Sequence, residues 1–75
     1  MNYKPKHPTP LTNRQRRICD LICQGRLNKE IAFELEIPYS TVKDEVSMIF
    51  WKLGKRNRVE LAVCWYETTR MRRAS

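Results

Sequence analysis

Asp44 and Ser47 lie three positions apart in a stretch whose apolar residues, Val42, Val46, Ile49, Phe50 and Leu53, recur at helical spacing. On a helix they share the face turned away from that stripe, beside Thr41 and Lys43. A carboxylate there can accept from the amino edge of cytosine, and a hydroxyl can bond either base edges or phosphate. Upstream, Asn28 and Lys29 open a shorter apolar-periodic run, Ile31, Ala32 and Leu35. The start of a helix carries backbone donors and positive dipole, which suit a phosphate. Other chemistry is poorly provided for. His7 is the single histidine and sits in a proline-rich stretch, so no Ser-His-Asp or Cys-His arrangement is available. Gly25 and Gly54 are the only glycines, too few for a phosphate loop. Cys19, Cys23 and Cys64 contain no CxxC pair, and a zinc site needs about four well-spaced ligands. The expectation is a protein that is not an enzyme, with no cofactor and no metal.

Fifteen Lys and Arg against eight Asp and Glu give a net charge of +7 on 75 residues. That field favours a polyanion. A hydrophobic content of 41% fits a folded chain rather than a disordered one. The length allows one domain with a modest core, which pairing with a partner would support. No apolar run approaches the roughly 20 residues of a membrane span, so a membrane partner is not expected. An odd cysteine count without a signal-peptide core points to reduced thiols in a cytoplasmic protein. Cys19 and Cys23, four apart on one helical face, act as small hydrophobes.

The elements that must position these residues follow from caps and breaks. Pro5, Pro8 and Pro10 with Lys4, Lys6 and His7 make residues 1–10 an extended basic arm. Thr12 and Gln15 have the spacing of a capping box, followed by Ile18, Cys19, Leu21, Ile22 and Cys23 and a stop at Gly25. Arg14, Arg16 and Arg17 crowd the end of this helix that disfavours cations. Asn28 is the expected cap of a second helix, Lys29 to about Glu36. Ile37-Pro38-Tyr39 breaks it, and a third helix runs from near Ser40 to Leu53, ended by Gly54. Asn57 caps a fourth helix, Arg58 to about Met71. There Leu61, Ala62, Trp65 and Thr68 or Thr69 give one apolar face, and Val59, Val63 and Tyr66 a second one without an evident partner. The reading is an all-α, four-helix domain over 11–71, with a basic tail at 72–75.

The run from Leu11 to Ala62, LTNRQRRICDLICQGRLNKEIAFELEIPYSTVKDEVSMIFWKLGKRNRVELA, resembles the LuxR-type, or GerE-type, helix-turn-helix domain. Leu11-Thr12, Gly25, Asn28 to Ala32, Thr41-Val42-Lys43, Lys52 to Gly54 and Asn57-Arg58 with Glu60 to Ala62 carry the match in register. The resemblance implies a four-helix DNA-binding domain, expected here either as a stand-alone form or as an isolated domain. It implies a third helix in the major groove and a fourth that forms a dimer contact. Four positions depart from the pattern. Gln15 replaces the usual Glu, Leu27 a usual Ser, Pro38 a frequent capping Ser or Thr, and Glu45 the usual His. Asp44 and Glu45 together would repel phosphate unless one reads a base or both turn toward basic protein groups.

On this reading the protein is a sequence-specific regulator of transcription that binds double-stranded DNA. Lys43 matches the family's TVK lysine and is expected on phosphate or a base edge, with Asp44 and Ser47 reading bases. Asn28, Lys29, Thr41, Lys55 and Arg58 hold the DNA backbone, although Arg58 could instead pair with Glu60 or Glu34. Val59, Val63 and Tyr66 form a homodimer contact. RNA polymerase or a larger LuxR-type regulator is a further possible partner. The alternative function is a small protein-binding regulator, an anti-activator that pairs with a larger LuxR-type protein.

Overall fold

The computed structural model describes residues 10–74, with side chains described as far as Arg70. The expected arm at 1–10 lies outside the described residues except for Pro10. Four helices follow in order: α1 Asn13–Cys23, α2 Asn28–Leu35, α3 Tyr39–Leu53 and α4 Arg58–Ala74. No strand occurs among the described residues, in keeping with the expected all-α class.

The α1 start is the capping box that the sequence implies. Thr12 Oγ1 accepts from the Gln15 N–H at 3.1 Å, and Gln15 Oε1 accepts from the Thr12 N–H at 3.0 Å. The α2 start differs from expectation. Leu27, not Asn28, holds the cap position, and Asn28 is the first helical residue. Leucine has no side-chain acceptor, so Glu30 does half the work of a box, accepting the Leu27 N–H at 2.7 Å. The Asn28 amide is thereby left for a partner elsewhere. At the α2 end, Glu36 takes a left-handed backbone, φ 56°, where glycine would be unstrained. Pro38 caps α3, and Gly54 ends it at φ 67°. Asn57 Oδ1 accepts the Glu60 N–H at 2.9 Å, so the expected cap of α4 is present. This helix continues past Met71 to Ala74. Met71, Arg72, Arg73 and Ala74 are good helix formers, with no glycine or proline to stop them.

Ile18, Cys19, Leu21 and Ile22 of α1 meet Ile31 and Ala32 of α2, Val42, Val46 and Ile49 of α3, and Leu61 of α4 in one buried cluster. Each fully buried aliphatic side chain, such as Ile18, Ile31, Ile49 or Leu61, contributes about 1.5–3 kcal/mol. α1 packs on α3 and α4, and α2 pairs with α3 through the short Glu36–Pro38 turn, a helix-turn-helix. Burial pushes the Cys19 thiol up to about 12, with smaller contributions from Asp20, Cys64 and Cys23, so it is a neutral core group.

Polar ties lock the packing. Gln15 is 3% exposed, and both its amide oxygen and its amide nitrogen are hydrogen-bonded. Its Oε1 also accepts from Lys52 Nζ at 2.9 Å, and its Nε2 donates to Glu45 Oε1 at 3.1 Å. Lys52 Nζ donates as well to the Pro10 carbonyl at 3.1 Å. Trp65 Nε1 donates to Asp20 Oδ1 at 2.7 Å, fastening α4 to α1. No buried side-chain nitrogen or oxygen lacks a partner among the described residues. No helix among them is long and apolar enough to cross a membrane.

Candidate nucleic-acid interface

α3 buries Val42, Val46 and Ile49 on one side and therefore presents Ser40, Lys43, Asp44 and Ser47 on the other, all exposed. Thr41, Met48 and Trp51 sit half-buried at the margins of this face. Lys43 Nζ lies 5.8 Å from the centroid of the Tyr39 ring, one turn back. That cation–π contact restrains a long side chain while leaving its ammonium on the surface. Tyr39 was absent from the sequence-based set. The signal was its spacing of four from Lys43, a helical neighbour pair.

The two adjacent acids part company. Glu45 turns to α1, where its Oε1 accepts from Gln15 and its Oε2 lies 3.4 Å from Arg14 Nη1. This accounts for one cation in the crowded first turn of α1. Asp44 stays exposed on the outer face, and no hydrogen bond or ion pair engages it among the described residues. One carboxylate is thus consumed within the fold, and one remains available.

Asn28, Lys29 and Arg58 come together. With Leu27 and Tyr39 they line an open hollow of about 640 Å³. Leu27 to Lys29 begin α2, Tyr39 begins α3 and Arg58 begins α4, so the starts of three helices border it. Arg58 Nη1 donates to Asn28 Oδ1 at 2.8 Å and Nη2 to the Arg26 carbonyl at 2.7 Å. The alternative ion pairs for Arg58 do not form. Glu60 accepts the Arg56 N–H at 3.0 Å, and Glu34 lies 3.9 Å from Arg26. Burial lowers the Arg58 pKa from its ordinary value, but a guanidinium keeps its charge. A guanidinium has five N–H donors, so Arg58 can still bond outward. The lining has a lysine, an arginine and no carboxylate, and helix starts add positive potential. Such a hollow suits an anion. Lys55, between α3 and α4, is half-buried and does not line it.

On α4, Val59, Val63 and Tyr66 are exposed by 72%, 53% and 57%, while Leu61 is buried and Trp65 faces α1. Of the two threonines considered for the inner face, Thr69 is half-buried and Thr68 exposed. No group of three or more His, Cys, Asp or Glu among the described residues could hold a metal ion.

Residues 9–65 match the family described as bacterial regulatory proteins, luxR family. The chain is 45% identical over 51 residues to the transcriptional regulatory protein DesR of Bacillus subtilis (strain 168), covering 68% of this chain and 26% of DesR. It is 46% identical over 61 residues to the nitrate/nitrite response regulator protein NarL of Escherichia coli (strain K12), covering 81% and 28%. It is 40% identical over 53 residues to the spore germination protein GerE of Bacillus subtilis (strain 168), covering 71% of this chain and 72% of GerE. The chain therefore spans about a quarter of the length of DesR and NarL and most of that of GerE.

Proposed function

The chain belongs to the luxR family of bacterial regulatory proteins, which carry a DNA-binding helix-turn-helix domain, and from that premise we propose that it regulates transcription by setting α3 in the major groove of double-stranded DNA. The observation that carries this reading is the shared hollow. Lys29 and Arg58 line it at the starts of α2 and α4, and Tyr39, at the start of α3, connects it to the polar outer face of that helix. A phosphate seated in the hollow would fix the register, and Asp44 and Ser47 would then meet base edges. Lys43 neutralises a neighbouring phosphate, and Thr41 and Lys55 flank the same backbone. Asn28 acts by holding Arg58. The Val59, Val63 and Tyr66 face closes against a second copy. Two-fold pairing would set two α3 helices one DNA turn apart, with half-sites separated by roughly 10 base pairs.

The test is selection of bound sequences from a random DNA pool, followed by titration of affinity against salt. The reading expects an enriched site and an affinity that falls steeply as salt rises. Lys43→Ala should weaken binding to all sequences and reduce the salt slope by about one unit. Asp44→Ala should instead change the preferred sequence. No DNA affinity at any salt concentration, with a stable complex to a larger luxR-family protein, would overturn the proposal in favour of an anti-activator.

A further inference from the structure

Arg14 and Arg17 stand three residues apart at the start of α1, so they share one face of that helix. Helix stability does not account for them. The start of a helix disfavours cations, and the first turn of α1 holds no acid to offset them. Arg14 reaches Glu45 of α3 at 3.4 Å and still keeps 49% of its side chain exposed. Arg17 is exposed, and no hydrogen bond or ion pair engages its side chain among the described residues. The one acid of α1, Asp20, lies three residues past Arg17, but its carboxylate turns to α4 and accepts from Trp65. Arg16, one turn before Asp20, lies on that α4 side.

The outer face of α3 has two flanks. Tyr39 and Lys43 make one and lead to the hollow with Lys29 and Arg58. Glu45 and Lys52 make the other, where Arg14 and Gln15 of α1 meet them. A helix with its side chains is about 10–12 Å across, and the major groove is about 12 Å wide. A helix seated there has a phosphate backbone against each flank. The first flank is supplied with cations. On the second, Glu45 and the neighbouring Asp44 repel a backbone, and Lys52 is committed to Gln15 Oε1 and the Pro10 carbonyl. The cations nearest that second backbone are those of α1.

We propose that Arg17, with Arg14 beside it, grips the phosphate backbone on the Glu45 flank of α3, across the groove from the backbone held by the hollow. The inference rests on the groove reading above. Arg14 covers the Glu45 carboxylate, so that pair presents no net charge to the DNA. Arg17 supplies the uncancelled cation, and its planar fork suits a phosphate. Contacts to both walls fix the depth and roll of α3 in the groove, which contacts to one wall do not.

The experiment replaces single phosphates of the selected operator by neutral methylphosphonates, strand by strand. Affinity is measured for the wild-type chain and for Arg17→Ala, Arg16→Ala and Lys29→Ala. Arg17→Ala should bind about five-fold or more weakly, with the salt slope reduced by about one unit. It should also lose the wild type's sensitivity at one phosphate, across the groove from the phosphate at which Lys29→Ala loses it. Its urea midpoint should stay at or above that of the wild type, because a cation leaves a helix start, so the lost affinity does not come from unfolding. Arg16→Ala should change affinity by less than about two-fold and leave every phosphate sensitivity in place. Equal losses in Arg16→Ala and Arg17→Ala overturn the inference, as does a phosphate shared between Arg17→Ala and Lys29→Ala. If Lys29→Ala alone loses a phosphate, the hollow stands and the grip by Arg17 falls. Absence of DNA binding by the wild type overturns the groove reading and this grip with it.

Discussion

Arg58 donates through Nη1 to Oδ1 of Asn28 across 2.8 Å and so joins the first residue of α4 to the first residue of α2. Both residues border the hollow proposed to take a phosphate. The contact therefore acts twice, as a brace between elements and as the restraint that aims a guanidinium.

Removing either partner should expose both roles. Asn28→Ala should cost about 1–2 kcal/mol in urea denaturation and also weaken DNA binding by freeing Arg58. Arg58→Lys keeps the charge but cannot reach Asn28 and the Arg26 carbonyl in the same fork geometry. It should lose stability of similar size. Full stability of Arg58→Lys would show that the brace carries nothing.

Gln15 and Glu45 also tie distant elements together, at 3.1 Å. Gln15→Glu alone sets two carboxylates against each other, and Glu45→Gln alone removes the charge facing Arg14. Exchanging both restores an amide–carboxylate pair and puts the carboxylate beside Lys52. A double-mutant cycle should give a favourable coupling of about 1 kcal/mol or more. Strict additivity would contradict the pairing.

The parts of this fold legible in the sequence are those set by local spacing. The apolar rows of α1 and α3, the Thr12–Gln15 box, the Asn57 cap and the Gly54 stop all depend on neighbours within a turn or two. The partner of the Asn28 side chain depends on Arg58, 30 residues on. The fate of Glu45 depends likewise on Arg14, 31 residues back. Composition and period do not encode such long-range partners. The Tyr39–Lys43 contact is local, four residues apart, but Tyr39 belongs to the sequence's Ile37-Pro38-Tyr39 break as well as to the first turn of α3.

Cys19 gives a pH dependence with a definite sign. Below about pH 9 its thiol is neutral in both folded and unfolded chains. Between the ordinary value of 9.0 and the folded value of about 12, the unfolded chain releases this proton first, so stability falls as pH rises. The loss should run at roughly 1 kcal/mol per pH unit across that window. Cys19→Ala should show a correspondingly shallower alkaline decline, measured by urea denaturation between pH 8 and 11. Equal slopes in the two proteins would contradict the buried thiol.

The α4 stripe predicts a separation of folding from assembly. Val63 is exposed, so Val63→Glu should leave the helical circular dichroism and unfolding midpoint near those of the parent. It should weaken binding to DNA with two half-sites far more than to DNA with one. Unfolding of this variant would mean that the buried and paired faces of α4 had been interchanged.

The claim that α3 lies in the major groove is tested most directly by a photo-crosslinker placed at Ser47, on the exposed face beside Asp44. On the selected operator, position 47 should crosslink to bases through their major-groove edges, at two positions separated by roughly 10 base pairs. Tight operator binding with no crosslink from position 47, or with crosslinks confined to the minor groove, would contradict it.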